Sequence, residues 1–347
     1  MDITQFKCPN CGGPLTYDPK TGKIICDYCR SKFFSEELEG KANASADNSN
    51  AKSEEDGAVI YNCPSCGAQI VTDSTTAATF CYYCHNPVVM SGRMSGAYKP
   101  DYVIPFEIDK EKATKIFEDW IGKKKYVPDS FYSKEQVETM TGVYFPYLMY
   151  TCNIAGDIDA IGTKVTVSVR GGYQYTDTGK YEVRREGNME IKRVFRNALK
   201  KANKVLADGV LPFDIEKMKP FSMSYLSGFF AENRDINQED IEGEVRQEVR
   251  DYAVDRLKDS VLEYQDVQIT ADNTKLVNEK WEYALMPVWT LTYNDKEKGK
   301  IYYFSVNGQS GKTIGELPID NKKLVKTFLL IAIPILLICL AVFYFIL

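Results

Sequence analysis

Eight of the ten cysteines lie between Cys8 and Cys84 and form four Cys-x-x-Cys pairs. Two pairs separated by fourteen residues make one Cys-x2-Cys-x14-Cys-x2-Cys unit, which recurs without a gap so that the second copy begins at Cys63. Zn²⁺ prefers four soft ligands in a tetrahedron, so the spacing predicts two structural Zn²⁺ ions, each in a closed site. The expected ligands are Cys8, Cys11, Cys26 and Cys29 in ribbon 1, and Cys63, Cys66, Cys81 and Cys84 in ribbon 2.

The residues beside the cysteines have the chemistry of tight turns. Proline at positions 9 and 64 fixes φ, and Gly12 and Gly67 can adopt positive φ. Sulfur ligands alone do not exclude iron in a rubredoxin-like site. A redox dithiol is disfavoured, because such a pair usually opens a helix in a βαβ unit. Since four cysteines complete each site, we expect His85 to be a surface residue of the last turn.

His85 is also the only histidine, which limits the catalytic possibilities. No Ser-His-Asp triad, Cys-His dyad or H-E-x-x-H site can be assembled in the rest of the chain. Cys152 and Cys339 are interpreted as apolar filler. The segment 308–313 resembles a phosphate-binding loop, but the Walker pattern needs glycine where Val306 stands, so we expect a turn at Asn307-Gly308. The sequence therefore predicts a protein that is not an enzyme.

The cysteine units must sit on compact elements, and the sequence divides accordingly. Residues 3–34 and 59–90 are predicted as the two ribbons. Residues 35–58 are polar and lack apolar periodicity, which predicts a disordered linker. Residues 100–320 are predicted as an α+β domain with an antiparallel sheet. A weak echo between residues 144–150 and 285–291, each an apolar strand with proline near its start, raises the alternative of two related halves.

Periodicity predicts the elements of this domain. A helix begins after Asp109, with an apolar face of Ala113, Ile116, Phe117, Trp120 and Ile121. A second helix at 238–260 has a stripe of Ile241, Val245, Val249, Tyr252, Ala253 and Leu257. Strands are predicted at 143–154, 157–169, 173–184, 264–271, 274–283, 285–294 and 299–306, with breaks at Gly156 and Gly171-Gly172.

Residues 327–347 contain no charge over their last twenty positions. A helix of about 20 residues spans the roughly 30 Å hydrocarbon core of a bilayer, so this segment is predicted as a single transmembrane tail anchor in contact with membrane lipid. Membrane helices tolerate a proline such as Pro334. Lys322, Lys323 and Lys326 precede the span and predict that this side lies in the cytoplasm. The N-terminal sequence shows no signal peptide, which agrees with reduced cysteines at the cytoplasmic face of the cell membrane.

A net charge of −5 gives no global basic field, so charge alone does not favour nucleic-acid binding. One basic stretch stands out, and we interpret it as a solvated helix face, with lipid or nucleic-acid contact as alternatives. It consists of Lys192, Arg193, Arg196, Lys200, Lys201 and Lys204.

The paired Cys-Pro-x-Cys-Gly turns, the segments 287–293 and 303–312, and the charged-then-apolar tail resemble the YdjG type of bacterial zinc-ribbon, tail-anchored membrane proteins, also described as TFIIB-type zinc-ribbon-containing proteins. The resemblance implies a membrane-stress module beside a PspA-like coat protein and an SPFH-domain protein. Our first hypothesis is therefore a membrane-anchored adaptor or scaffold. The alternatives are a tethered nucleic-acid-binding ribbon protein, and an enzyme within residues 100–320.

Overall fold

A computed structural model of the protein describes residues 6–38, 52–53, 58–63, 65–81, 84–94, 96–295 and 298–346. The predicted α+β class is confirmed. The chain divides into two compact units, and neither follows a continuous half of residues 100–320. Unit 1 comprises Met1–Pro146, Lys201–Asn233 and Leu285–Leu347, and unit 2 comprises Tyr147–Lys200 and Arg234–Ala284.

The strands are Leu15–Asp18 (β1), Lys23–Cys26 (β2), Lys32–Phe33 (β3), Lys52–Ser53 (β4), Ala58–Asn62 (β5), Gln69–Asp73 (β6), Thr76–Phe80 (β7), Pro87–Val89 (β8), Tyr102–Val103 (β9), Thr141–Arg170 (β10), Tyr173–Asn197 (β11), Lys219–Pro220 (β12), Phe230–Glu232 (β13), Asp266–Asp272 (β14), Lys275–Asp295 (β15), Lys300–Asn307 (β16) and Thr313–Gly315 (β17). The α-helices are Ser35–Leu38 (α1), Lys110–Ile121 (α2), Lys134–Glu138 (α3), Lys204–Gly209 (α4), Gln238–Asp259 (α5) and Asn321–Ile346 (α6).

The sheet of unit 1 has the strand order β12-β9-β15-β10-β13-β7-β8, and β16 and β17 extend it from β15. Strands β10 and β13 pair in parallel, whereas the pairs β12–β9, β13–β7, β7–β8, β15–β16 and β16–β17 are antiparallel. Its core is an aromatic cluster around Phe106, whose ring stacks on Phe229 at 4.2 Å and meets Tyr144 and Trp289 edge-on at 5.0 and 5.2 Å. Such ring pairs add to the free energy of apolar burial and hold the sheet to the preceding loop.

Helix α2 confirms the prediction made from Asp109. The Asp109 side chain accepts a hydrogen bond from the Lys112 N–H at 2.7 Å, which satisfies one of the free donors of the first turn. Ala113, Phe117 and Ile121 are buried on one face.

Helix α5, in unit 2, confirms the second helix prediction with one exception. A capping box of Asn237 and Asp240 starts it, and its buried stripe is Val245, Val249, Ala253 and Leu257. Tyr252 was predicted in this stripe, but it is 52% exposed. The buried residues follow a strict i, i+4 spacing, and Tyr252 lies one residue, or about 100°, off that line.

The predicted break at Gly156 is wrong. Strands β10 and β11 form one continuous antiparallel hairpin from Tyr147↔Asn197 to Arg170↔Tyr173, and Gly156 faces Gly187 within it. Close packing explains why residue 156 is a glycine, because a Cβ at this position would lie 2.7 Å from Leu257 Cδ1 on α5. The turn at Gly171-Gly172 is confirmed, since both residues adopt positive φ.

A single strand, β15, replaces the two strands predicted at 274–283 and 285–294. Pro146 and Pro287 both lie inside long strands and not at strand starts. Pro146 directly precedes Tyr147, where pairing with β11 begins, and Pro287 directly precedes Val288, where pairing with β16 begins. A proline has no N–H to donate, and both positions lie just outside these ladders.

The basic stretch is not a helix face as predicted. Its first three members, up to Arg196, lie on strand β11, and only Lys204 belongs to a helix. Arg196 pairs with Glu248, and Lys201 contacts Asp73 at 2.9 Å and Glu232 at 3.0 Å. Acidic side chains therefore lie beside Arg196 and Lys201 and compensate their charge.

The predicted turn after β16 is confirmed, and Asn307 builds it. The buried Asn307 side chain accepts hydrogen bonds from the N–H groups of Gln309 and Ser310. Its amide nitrogen donates to the carbonyls of Val210 and Pro212 at 2.8 and 3.2 Å. The turn therefore holds a neighbouring loop and offers no helix for a phosphate.

Within the predicted linker, residues 35–38 form α1, and β4 pairs with β5. Residues 39–51 and 54–57, and Pro64 of the third cysteine turn, lie outside the described residues.

Candidate metal centres and membrane helix

The four cysteine pairs adopt one repeated turn. In each, the N–H of the first cysteine donates to the carbonyl five residues later, and its own carbonyl accepts from the N–H four residues later, at 2.7 to 3.0 Å. The fourth-following residue has positive φ in every case. These residues are Gly12, Arg30, Gly67 and His85, with φ of 74°, 60°, 74° and 56°. The sequence indicated positive φ at the two glycines but not at Arg30 and His85, because residues other than glycine rarely adopt positive φ.

The structure brings each set of four sulfurs together, with all Sγ atoms within 4.8 Å of one another. In ribbon 1 the Cys8–Cys29 and Cys11–Cys26 sulfurs lie 3.5 and 3.4 Å apart. In ribbon 2 the corresponding distances are both 3.7 Å. A tetrahedron with Zn–S bonds of about 2.3 Å has S···S edges of about 3.8 Å, so both groups fit a single tetrahedral ion.

A polar bridge joins the two turns of each ribbon, and its residues are exchanged between the copies. In ribbon 1, Asn10 Nδ2 donates to Ser31 Oγ at 2.9 Å. In ribbon 2, Asn86 Nδ2 donates to Ser65 Oγ at 2.5 Å. In the repeat Asn10 corresponds to Ser65 and Ser31 to Asn86, so the same contact is made with donor and acceptor swapped.

His85 is exposed and is not among the grouped ligands, which confirms its prediction as a surface turn residue.

Each four-cysteine group has a buried side and a solvent-exposed side. The first and third cysteines are buried, whereas Cys11, Cys29 and Cys66 are exposed. Hydrogen bonds from the hydroxyl and N–H of Ser31 lower the pKa of the Cys29 thiol to about 6. Burial raises the pKa of the Cys63 thiol to about 12, so binding of a metal there would displace a proton.

Ribbon 1 packs directly on the rest of unit 1. The Tyr17 N–H donates to the Ser227 carbonyl at 3.0 Å, and the Tyr17 ring lies 5.5 Å from the ring of Tyr225. The Lys20 ammonium bridges Asp109 and Glu111 at 3.0 and 2.8 Å. A Cβ at Gly228 would lie 2.3 Å from Thr16 Cγ2, so only glycine allows this approach.

Ribbon 2 contributes strands to the sheet of unit 1. Strand β7 pairs with β13 through Ala231↔Ala78, and the rings of Phe80 and Phe230 lie 5.2 Å apart. The buried Arg93 guanidinium donates to the carbonyls of Asp73 and Thr76 at 2.6 and 2.5 Å.

Ribbon 2 is also hydrogen-bonded to the end of β13 and to the residue that follows it. The Asn233 N–H donates to the Thr75 carbonyl, and the Thr75 hydroxyl donates to Glu232, both at 2.7 Å. The ribbons are thus built into unit 1. The sequence did not indicate this, because the pairing of β7 with β13 and the contacts with Ser227, Glu232 and Asn233 join segments far apart in the chain.

Helix α6 is long and apolar enough to span a membrane over Asn321–Tyr344, and its most apolar stretch is not buried in the protein. Its start is fixed to unit 1. The Asp320 N–H donates to the Tyr126 carbonyl at 2.8 Å. The Lys323 ammonium donates to the Val127 carbonyl at 2.8 Å and pairs with Asp129 at 2.6 Å.

Unit 2 contains a cluster of ionisable side chains that could be considered as a catalytic site, if the protein is an enzyme. The buried Tyr150 hydroxyl donates to Glu279 at 2.7 Å, and Arg246 pairs with the same carboxylate at 2.6 Å. Burial opposes ionisation of Glu279, but hydrogen bonds from Arg246 and Tyr150 lower its pKa below the usual value. Burial also raises the pKa of the Cys152 thiol, which therefore has little thiolate character. Glu279 is thus an ionised carboxylate that is already paired with Arg246 and Tyr150.

The fold and these sites define a mixed α+β protein with two four-cysteine groups that could hold metal ions and a C-terminal helix that could cross a membrane. The chain is 31% identical over 326 residues to the uncharacterized protein YdjG of Bacillus subtilis (strain 168), and the match covers 94% of this chain and 93% of YdjG. The chain therefore belongs to the YdjG family. No protein-family profile and no solved structure matches it.

Proposed function

We propose that the protein is a non-enzymatic scaffold that α6 anchors in the cell membrane, with both ribbons in the cytoplasm. The observation that carries this proposal is the attachment at Asp320 and Lys323, which joins the first turn of α6 to unit 1 without a linker. A body held this way presents its surfaces at a constant height above the lipid. The lysines that precede the apolar run favour a cytoplasmic position for this body.

Each ribbon holds one structural Zn²⁺ in this proposal. Four cysteine sulfurs at tetrahedral spacing support zinc, and a reducing cytoplasm keeps the thiols free to bind it. Since iron accepts the same ligands, elemental analysis of the purified protein is the test. Two zinc per chain are expected, and a visible iron–thiolate absorption with iron in place of zinc would contradict the assignment.

The proposed partners are proteins, and ribbon 1 offers the first surface for them. Tyr28 is 74% exposed and Phe34 is 50% exposed, on a ribbon that the rest of unit 1 holds in place. Exposed aromatic side chains on a rigid support are typical binding anchors. By family resemblance the candidates are a PspA-like coat protein and an SPFH-domain protein, which would place the scaffold in a membrane-stress complex.

Crosslinking and affinity capture from native membranes tests this role. Removal of the whole of ribbon 1 is unsuitable, because Tyr17 is hydrogen-bonded to Ser227 and Thr16 packs against Gly228, so the deletion would expose part of the core of unit 1. The intact chain is therefore compared with the double variant Tyr28→Ser/Phe34→Ser, and the matched control is Leu262→Ser, which changes an apolar residue that is 85% exposed in unit 2. The double variant should lose a partner that the control retains. Equal recovery of every partner would refute ribbon 1 as the docking surface.

The alternative of nucleic-acid binding is disfavoured at one basic residue of ribbon 1. Lys20 is engaged by Asp109 and Glu111, which offer carboxylates where a phosphate would have to bind. A gel shift with the full chain distinguishes the two functions, because phosphate contacts weaken steeply with salt.

A further inference from the structure

Two lysine-rich segments that are far apart in sequence meet at the start of α6. Lys123, Lys124 and Lys125 directly precede Tyr126, whose carbonyl accepts the Asp320 N–H. Lys322 and Lys326 lie on the first turns of α6. We call these five residues the juxtamembrane lysine surface; they are Lys123, Lys124, Lys125, Lys322 and Lys326.

The charge of this surface is largely uncompensated. All five side chains are exposed. Lys323, between them, already pairs with Asp129, and the carboxylate of Asp320 caps α6 by accepting the N–H groups of Lys322 and Lys323. Among the residues that the structure describes, none of the five surface lysines forms an ion pair.

Lys326 lies at the depth of the headgroup layer of a bilayer, and Lys322 lies one helical turn farther from the apolar run, at the outer edge of that layer. The apolar run begins at Phe328, so a rise of about 1.5 Å per residue puts Lys326 about 3 Å and Lys322 about 9 Å before it. Each headgroup layer is roughly 5 to 8 Å thick. Residues four apart share a helix face, and the face of Lys322 and Lys326 continues into Leu329 and Ile333. This face therefore offers ammonium groups to a phosphate and apolar side chains to its acyl chains.

We propose that the juxtamembrane lysine surface binds the phosphate headgroups of anionic phospholipids in the leaflet that α6 enters. The proposal rests on the membrane anchoring by α6 proposed above. Aromatic side chains flank the surface as they do at membrane interfaces: the Lys124 ammonium lies 5.6 Å from the Trp120 ring centroid, and Tyr132 is 41% exposed beside Lys323. The basic stretch at 192–204 suits this role less well, because acidic side chains already contact most of its members.

The test uses the full chain in nanodiscs of phosphatidylcholine that contain a minority of phosphatidylglycerol. Electron spin resonance of spin-labelled lipids measures the association of each lipid with the protein. The variants are Lys123→Gln/Lys124→Gln/Lys125→Gln and Lys322→Gln/Lys326→Gln, and the control, Lys192→Gln/Lys200→Gln/Lys204→Gln, removes the same charge as the triple variant elsewhere.

The intact protein should prefer phosphatidylglycerol, and high salt should abolish the preference. A lysine near an anionic surface contributes at most about fivefold to binding, so each variant should lose the preference several-fold while the control keeps it. Equal behaviour of the triple variant and its control, or no preference in the intact protein, would overturn the proposal. Resistance of the intact protein to alkaline extraction from membranes is measured in parallel. If alkali extracts the intact protein, the membrane anchor itself is refuted.

Discussion

Removal of the metal from ribbon 2 should destabilise the whole of unit 1 and not the ribbon alone. The perturbation is Cys81→Ser, which replaces a buried ligand. The matched control is Cys339→Ser, which changes an exposed cysteine on α6 outside both metal groups. A small site of this kind folds with its metal, and the apparent binding energy of about 10–16 kcal/mol is then folding energy.

The magnitude for unit 1 follows from the contacts that ribbon 2 makes. Four hydrogen bonds are lost if residues 73–76 become disordered: two from Arg93, one from the Asn233 N–H and one to Glu232. At about 1 kcal/mol each they contribute about 4 kcal/mol, before the β7–β13 ladder is counted. With a urea m value of roughly 2–3 kcal/mol/M, the midpoint of unit 1 should fall by about 1–2 M.

Tryptophan fluorescence in detergent micelles is a suitable assay, because Trp120, Trp281 and Trp289 all lie outside both ribbons. The Trp289 indole, buried and donating to the Ile108 carbonyl at 2.8 Å, reports directly on the core of unit 1. The Cys339→Ser control should retain the wild-type midpoint. If Cys81→Ser loses one metal per chain and the midpoint does not move, ribbon 2 is an independent module and this reasoning is refuted.

Three further predictions concern single contacts. Gly156→Val should lower the free energy of unfolding by about 1–3 kcal/mol in urea titrations, because the new side chain meets Leu257, and Leu257→Ala should recover part of the loss; a neutral effect would contradict the close-packing account of this glycine. Asn307→Ala should cost at least about 2 kcal/mol by the same measurement, because several buried backbone groups lose their partner, and full stability would show that the side chain does not hold the turn. The hydrogen bond from Lys323 lowers the pKa of Asp129 below 3.8, so the ion pair stabilises the start of α6 above the unfolded pKa and is lost as pH falls through the lower folded value; carbon NMR should show a titration midpoint that rises in Lys323→Gln and stays unchanged in Lys322→Gln.

Local patterns were enough to predict the features that depend on near neighbours in sequence. The cysteine spacing predicted both metal groups, since each ligand pair is made within one short turn. Asp109 predicted the start of α2, and the uncharged C-terminal run predicted the apolar helix. Each of these signals is local: hydrogen bonds within a turn, a cap within the first helical turn, or the apolarity of one segment.

Contacts between distant segments decided the rest. Gly156 looked like a break because glycine disfavours strands, yet the approach of Leu257 explains it. Ribbon 2 looked separate, yet β7 joins the sheet beside β13, which comes much later in the chain. The lysines at 123–125 and at 322–326 are ordinary surface charges in sequence. Only the hydrogen bond between Tyr126 and Asp320 brings them to one place, because the energy of that contact depends on the folded path of the chain and not on either segment alone.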